Sequence, residues 1–209
     1  MSEISQTILL LILGWLFGLL SPAIVDAIRL RRENVRGRAA IKAELDQLSE
    51  ILVFAAFQAR KAAGTMDRPF LEWLRSNLKR DNSAAACSLL TAVESGLSAA
   101  PDDLSQAAEL MATPADKATM LQHYPAPLLD ARVAALWSFE TAFQRQLLEI
   151  HKDLRLLADI VAQSREFFRL SFNEMSSANY DLAAGNLRQS YGNYAERAKI
   201  IVDHIGRLS

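Results

Sequence analysis

The side chains in this 209-residue sequence whose types allow acid–base, nucleophilic or metal chemistry are few and scattered. Ser76 and Lys79 match S-x-x-K, a spacing that sets an amine one helical turn from a hydroxyl, where it can accept the hydroxyl proton. Four ordinary helix residues produce the same pattern, and the companion elements of β-lactamase-type sites are missing. Asp102 and Asp103 are a candidate acid–base pair. Neighbouring residues on a helix do not face each other, however, and two acids just after Pro101 are explained by the positive end of a helix dipole. His123, His151 and His204 lie far apart, and none belongs to an H-E-x-x-H arrangement, whereas a metal needs several clustered donors. Neither G-x-G-x-x-G nor G-x-x-x-x-G-K occurs, so the common ways of cradling a phosphate on backbone donors are absent. The expectation is a non-enzyme with no catalytic residue, cofactor, metal or small-molecule substrate.

Composition narrows the partners. Lysine and arginine total 23 against 24 acids, a formal net charge of -1, which disfavours a nucleic-acid binder because phosphate-tracking surfaces are strongly basic. With 51% apolar and 22% charged residues the chain can build one ordinary core. Cys87 is the only cysteine, which rules out an intrachain disulfide; within an alanine-rich helix it is expected to be buried.

What could position a site is helical throughout. Ile41, Leu45, Leu48, Leu52, Ala55 and Ala59 recur at steps of four and three, and Gly64 offers a left-handed stop, so a long helix is predicted over 39–63. Turn signals then recur too often for long elements. Short helices are predicted over 67–80, 83–96, 101–112 and 114–123, opened by Asp67, Ser83, Pro101 and the Thr113-Pro114 pair. Six acids stand against Lys117 alone between residues 82 and 130, a negative surface whose ordinary role is solvation and whose functional alternative is to meet basic partners or the arginines below the membrane. From 129 to 171, apolar residues fill ten of thirteen a/d positions, interrupted by Glu140, Ser164 and Ser171, predicting a helix over 128–172. A second unbroken series from Tyr180 to Leu208 predicts another over 180–208. The short connection favours an antiparallel hairpin, although the two seams also allow pairing between chains. Gly185 and Gly192 mark either close approach of a neighbouring backbone or a kink. Tyr180, Tyr191 and Tyr194, each with an apolar ring and a polar tip, are candidate partner-interface residues. No period-two run of β-branched and aromatic residues supplies a sheet, so the fold class is all-α.

The amino-terminal end differs. From Ile4 to Val25 there are 22 residues without a charge, about 33 Å of helix, which matches a bilayer core. A cleaved signal peptide is the rival, but the charges run the wrong way: Arg29, Arg31, Arg32, Arg36, Arg38 and Lys42 follow the apolar run, and no cation but the amino terminus precedes it. Residues 1–25 are therefore expected to be a transmembrane anchor with its amino terminus outside. Residues 26–38 form a basic juxtamembrane segment that fixes topology and touches lipid headgroups, and 39–209 a cytosolic domain. Gly14 and Gly18 form G-x-x-x-G, a possible helix-dimer contact, and Pro22 should kink the span. The apolar run, the Ser21-Pro22 pair near its end and the arginines after it resemble the start of bacterial single-pass membrane proteins. The partners expected are the lipid bilayer and a protein, either another species or a second copy. The resulting function is a non-enzymatic interaction or scaffold module at the cytoplasmic membrane face. The alternative is a membrane-active effector in bacterial defence or toxicity, whose bundle controls clustering of the anchors.

Overall fold

The computed structural model describes the backbone of residues 3–81, 83–113, 119–170 and 177–208; within these, the side chains of 3–7, 9, 10, 16, 17, 19–23, 27, 30, 101, 177 and 178 lie outside the described set. The described residues contain helices and no strand, so the protein is all-α. The helices are α1 (Glu3–Ala63), α2 (Arg68–Leu78), α3 (Ala84–Ser98), α4 (Pro101–Met111), α5 (Pro127–Arg132), α6 (Thr141–Leu170) and α7 (Ser177–Gly206), with a 3-10 turn at Val133–Ser138. Two compact units are distinguished, Met1–Ala43 and Glu44–Ser209.

Every described residue of the first unit lies in α1. Among the described residues, no helix is long and apolar enough to cross a membrane. Leu9, Leu10, Leu16, Phe17, Leu19 and Leu20, which supply much of the apolar run in the sequence, are outside the described side chains.

The second unit is built on the α6–α7 hairpin. Phe143, Leu147, Ile150, Leu154, Leu157 and Val161 of α6 are buried, as are Leu187, Tyr191, Tyr194, Ala198, Ile201 and Ile205 of α7. The helices run antiparallel within one chain: Gln146 near the start of α6 donates to the Arg207 carbonyl just past the end of α7, at 3.1 Å. Leu45, Leu48, Leu52 and Ala59 of α1 are buried too, although Ala56 rather than Ala55 points inward. The Arg60 guanidinium ties α1 to its neighbours. It pairs with Glu196 of α7, donates to the Thr65 carbonyl at 3.1 Å, and lies 5.3 Å from the centre of the Phe70 ring.

Gly64 ends α1 as the sequence predicts. Its φ is +68°, Thr65 N donates to the Arg60 carbonyl at 3.2 Å, and Gly64 N donates to the Lys61 carbonyl at 3.1 Å, the paired bonds of a Schellman motif. A Cβ at this position would sit 2.8 Å from Ala112 Cβ, so α4 closes over the turn. At α2 and α3, Asp67 Oδ1 accepts from Phe70 N at 2.8 Å and Ser83 Oγ accepts from Ala86 N at 3.1 Å.

Four local expectations need correction. The predicted helix over 128–172 is broken: Phe139 is extended (φ −93°, ψ 167°) between the 3-10 turn and α6. The break falls beside Glu140, the one charged residue in the apolar series, whose carbonyl accepts from Gln144 N as α6 begins. Of the predicted helix over 114–123, residues 114–118 lie outside the described set and 119–123 have no regular structure. Cys87 is exposed, because α3 turns Ala86, Val93 and Leu97 inward instead. Gly185 and Gly192 have nothing within 4 Å of the place a Cβ would take, so neither admits a close backbone, and α7 runs through both.

These environments predict opposite outcomes for the same substitution. Gly64→Ala should lower stability by about 2 kcal/mol or more, through left-handed strain and overlap with Ala112. Gly185→Ala and Gly192→Ala should each raise it by up to about 1 kcal/mol by removing helix-interior glycine. Urea unfolding of the three variants checks both signs.

Candidate functional site

The sequence-selected chemistry stays dispersed. Ser76 Oγ donates to the Trp73 carbonyl at 2.7 Å, which returns it to its own helix. Asp102 and Asp103 occupy the exposed first turn of α4. His151 Nε2 faces Asp130 Oδ1 at 3.2 Å and His204 Nδ1 faces Asp153 Oδ2 at 3.0 Å, while His123 is exposed in the irregular segment. Among the described residues, no three histidine, cysteine or acidic side chains are grouped to hold a metal.

Among the described residues Asp153 is the most buried charge, at 1% exposure on α6. Its Oδ1 accepts from Arg197 Nη1 of α7 at 3.0 Å, and Oδ2 meets His204 Nδ1 at 3.0 Å in a contact not aligned as a hydrogen bond. Lys152 Nζ is 4.0 Å from Oδ1. A carboxylate held between Arg197 and His204 across the hairpin is an interhelical clamp. The a/d pattern did not reveal it, because Asp153 falls beside the seam rather than on it.

Two of the three candidate interface tyrosines line the interior. Tyr191 and Tyr194 are buried, and their hydroxyls donate to the carbonyls of Thr119 at 2.6 Å and Gln122 at 3.1 Å. They hold the irregular segment 119–122 against α7, so substituting them probes packing rather than docking. Tyr180, near the start of α7, is half-buried. Burial pushes the Tyr191 phenol above its ordinary 10.0, partly offset by its bond to Thr119. Burial pushes Tyr194 far higher, with a smaller contribution from Tyr124.

A groove of about 330 Å³ opens between α1, the end of α2 and the end of α7. Val53, Leu78, Val202 and Ile205 give it a buried apolar floor, with Phe54 half-buried beside them. Asp46, Glu50 and Asp81 stand on its lining with Arg80, leaving an excess of negative charge. Asp46 and Glu50 are four apart on α1, a like-charge spacing that costs a helix about 0.2–0.5 kcal/mol. The sequence places both off the apolar stripe, but only the fold brings them beside Asp81 and the end of α7.

In the first unit, Arg29, Arg32 and Arg36 share one face of α1 with Val25 and Ile28, and Arg29 Nε pairs with Glu33 Oε1 at 3.0 Å. Arg31 and Lys42 are exposed and Arg38 is half-buried. Gly14 and Gly18 are exposed, with open space where a Cβ would stand.

The tyrosine environments predict alkaline sensitivity. Because folding favours the neutral phenol, their contribution is intact below pH 10 and declines as pH rises beyond it. Tyr191→Phe and Tyr194→Phe should each cost about 1–2 kcal/mol at neutral pH, leaving a carbonyl unpaired, and each should flatten the loss of stability above pH 10. Urea midpoints measured between neutral and strongly alkaline pH check both effects.

No protein family, curated protein or solved structure matches this chain.

Proposed function

We propose that the chain is a membrane-anchored, non-enzymatic docking module, with residues 4–25 as a single span and the helical bundle on the cytoplasmic side. The observation that carries this reading is the exposure of the leading helix. Ile8, Leu11, Ile12, Leu13, Trp15, Ile24 and Val25 are each 42–68% exposed, on several sides of α1. Such a surface is unfavourable in water and favourable in hydrocarbon, where a helix also satisfies its own backbone. The uncharged run of 22 residues and the cations after it support the span and its orientation. Confinement to two dimensions raises the effective concentration of the bundle for its partner.

The docking surface in this reading is the groove between α1, α2 and α7. Its floor accepts an apolar side chain and its carboxylates complement a cationic segment, so the partner is a protein with an apolar anchor residue flanked by lysine or arginine. This replaces the tyrosines as the contact surface, since Tyr191 and Tyr194 are committed inside the fold.

Two experiments test the two halves. The full chain should stay with membranes through alkaline carbonate extraction. Cys87, single and exposed, should react with a membrane-impermeant maleimide only after the cells are permeabilised. A freely dissolved product would remove the anchor, and labelling of intact cells would reverse the topology. For docking, a photo-crosslinker at Ser49, which lines the groove, should capture a discrete basic partner in native membranes. Asp46→Lys with Glu50→Lys should reduce that yield at least ten-fold while thermal unfolding stays unchanged. Equal yield from the double variant would remove the groove as the docking surface.

A further inference from the structure

The six cations after the apolar run are not equivalent. Arg29, Arg32 and Arg36 fall at steps of three and four on the same face of α1 as Val25 and Ile28, which are 60% and 48% exposed. Arg31 is exposed as well, but it sits about 100° round the helix from Arg32 at nearly the same height. The first unit therefore has an apolar patch running directly into a row of three guanidiniums, while Arg31, Arg38 and Lys42 fall on a different face, more than about 90° round the axis.

We propose that this face is a binding site for anionic phospholipid headgroups, with Arg29, Arg32 and Arg36 holding the phosphates and Val25 and Ile28 lying against the acyl boundary. The inference rests on the reading of residues 4–25 as a span and goes beyond it, since topology alone needs only cations on one side, not on one face. Arg29, Arg32 and Arg36 begin roughly 6, 10 and 16 Å of helix past Val25. Helix side chains lean toward the amino-terminal end, here the bilayer side, and an arginine stem can lie along apolar surface while its head reaches headgroup depth. Screening weakens an upright helix's outermost arginine, because the Debye length is only about 8 Å at physiological salt. A tilt toward the stripe lowers all three together and lifts Arg31, and spans tilt by about 20° on average. Glu33 pairs with Arg29, so the face keeps a positive excess, and guanidinium matches phosphate with two parallel donors.

The test uses the full chain, purified in detergent with equal phosphatidylglycerol and phosphatidylcholine, and counts retained lipids by native mass spectrometry. Each arginine near the surface contributes roughly five-fold in affinity for acidic lipid. Wild type should retain phosphatidylglycerol over phosphatidylcholine by at least ten-fold. Arg29→Gln with Arg32→Gln and Arg36→Gln should abolish the preference, and Arg32→Gln alone should reduce it several-fold more than Arg31→Gln. Inorganic phosphate should displace the lipid no better than chloride at matched ionic strength; better displacement would mean a free-anion site and overturn the lipid assignment. Equal effects of Arg31→Gln and Arg32→Gln would overturn the one-sided site. A wild type that inserts into pure phosphatidylcholine vesicles yet shows no acidic-lipid preference would overturn this inference while leaving the span standing. A chain that enters neither lipid would remove both.

Discussion

The second unit depends on the seam between α6 and α7, and that seam depends on one buried carboxylate. Leucine, isoleucine and alanine side chains at heptad spacing pack almost as well after a slide of seven residues, so apolar burial alone fixes pairing without fixing register. Asp153 weighs against that slide. At 1% exposure it meets both Arg197 and His204 in this register, and because these two stand seven residues apart on α7, a slide of seven leaves it facing one of them at most. Gln146 bonded to the Arg207 carbonyl confirms the same alignment a little less than two turns earlier on α6. The clamp adds little net stability of its own, because the Asp153 carboxylate and the Arg197 guanidinium give up water to form it. Its effect is on which hairpin forms.

With the hairpin in register, the irregular parts have something to satisfy them. Segment 119–123 makes no helix or sheet of its own, yet a backbone near the core must pair its polar groups. Tyr191 and Tyr194 meet that need by donating to Thr119 and Gln122. The N-cap of α5 is Ala126, which has no side-chain acceptor, so the cap comes from another helix. Glu44 Oε1 and Oε2 accept from Leu128 N at 2.8 Å and Leu129 N at 2.9 Å, a charge placed at the positive end of α5. Trp73 Nε1 donating to Asp203 Oδ1 at 2.8 Å joins α2 to α7 in the same manner. Polar side chains from the long helices thus cap α5 and tie α2 and the irregular segment to the rest of the unit.

This division explains what the sequence revealed. Periodicity and capping are local, so the a/d series, Asp67, Ser83, the first turn of α4 and the Gly64 stop could all be recognised one helix at a time. Tertiary satisfaction is not local. Glu44 and Asp153 carried no signal beyond being acids off the apolar line, and the tyrosine hydroxyls pointed equally well to a surface or to a buried carbonyl. The break at Phe139 was partly visible, since Glu140 interrupts the apolar series, but a single polar position also suits an unbroken helix. The helix predicted over 83–96 was too short: α3 continues through Gly96 to Ser98, and a Cβ at Gly96 would meet Leu71 Cδ1 at 3.2 Å. The groove assembled from Asp46, Glu50, Asp81 and Ile205 spans three helices, and no spacing rule joins them.

Along α1 the residue pattern changes while the backbone does not. Its early apolar side chains are exposed on several sides, its middle is charged, and from Leu45 onward apolar residues are buried along one stripe. A helix closes its own hydrogen bonds, so the same backbone suits hydrocarbon, a charged interface and a protein core, and only the distribution of side chains around the axis selects among them. Environment is therefore encoded here by angular breadth rather than by hydrophobic content. Leu11 and Leu52 are the same residue on the same helix, but one is 68% exposed and the other 0%. A charge at Leu52 would have to displace packed neighbours, whereas a charge at Leu11 displaces none and changes only which solvent the helix prefers. The two halves of α1 can consequently vary under separate constraints, as the proposed combination of an anchor with a docking domain would require of the helix they share.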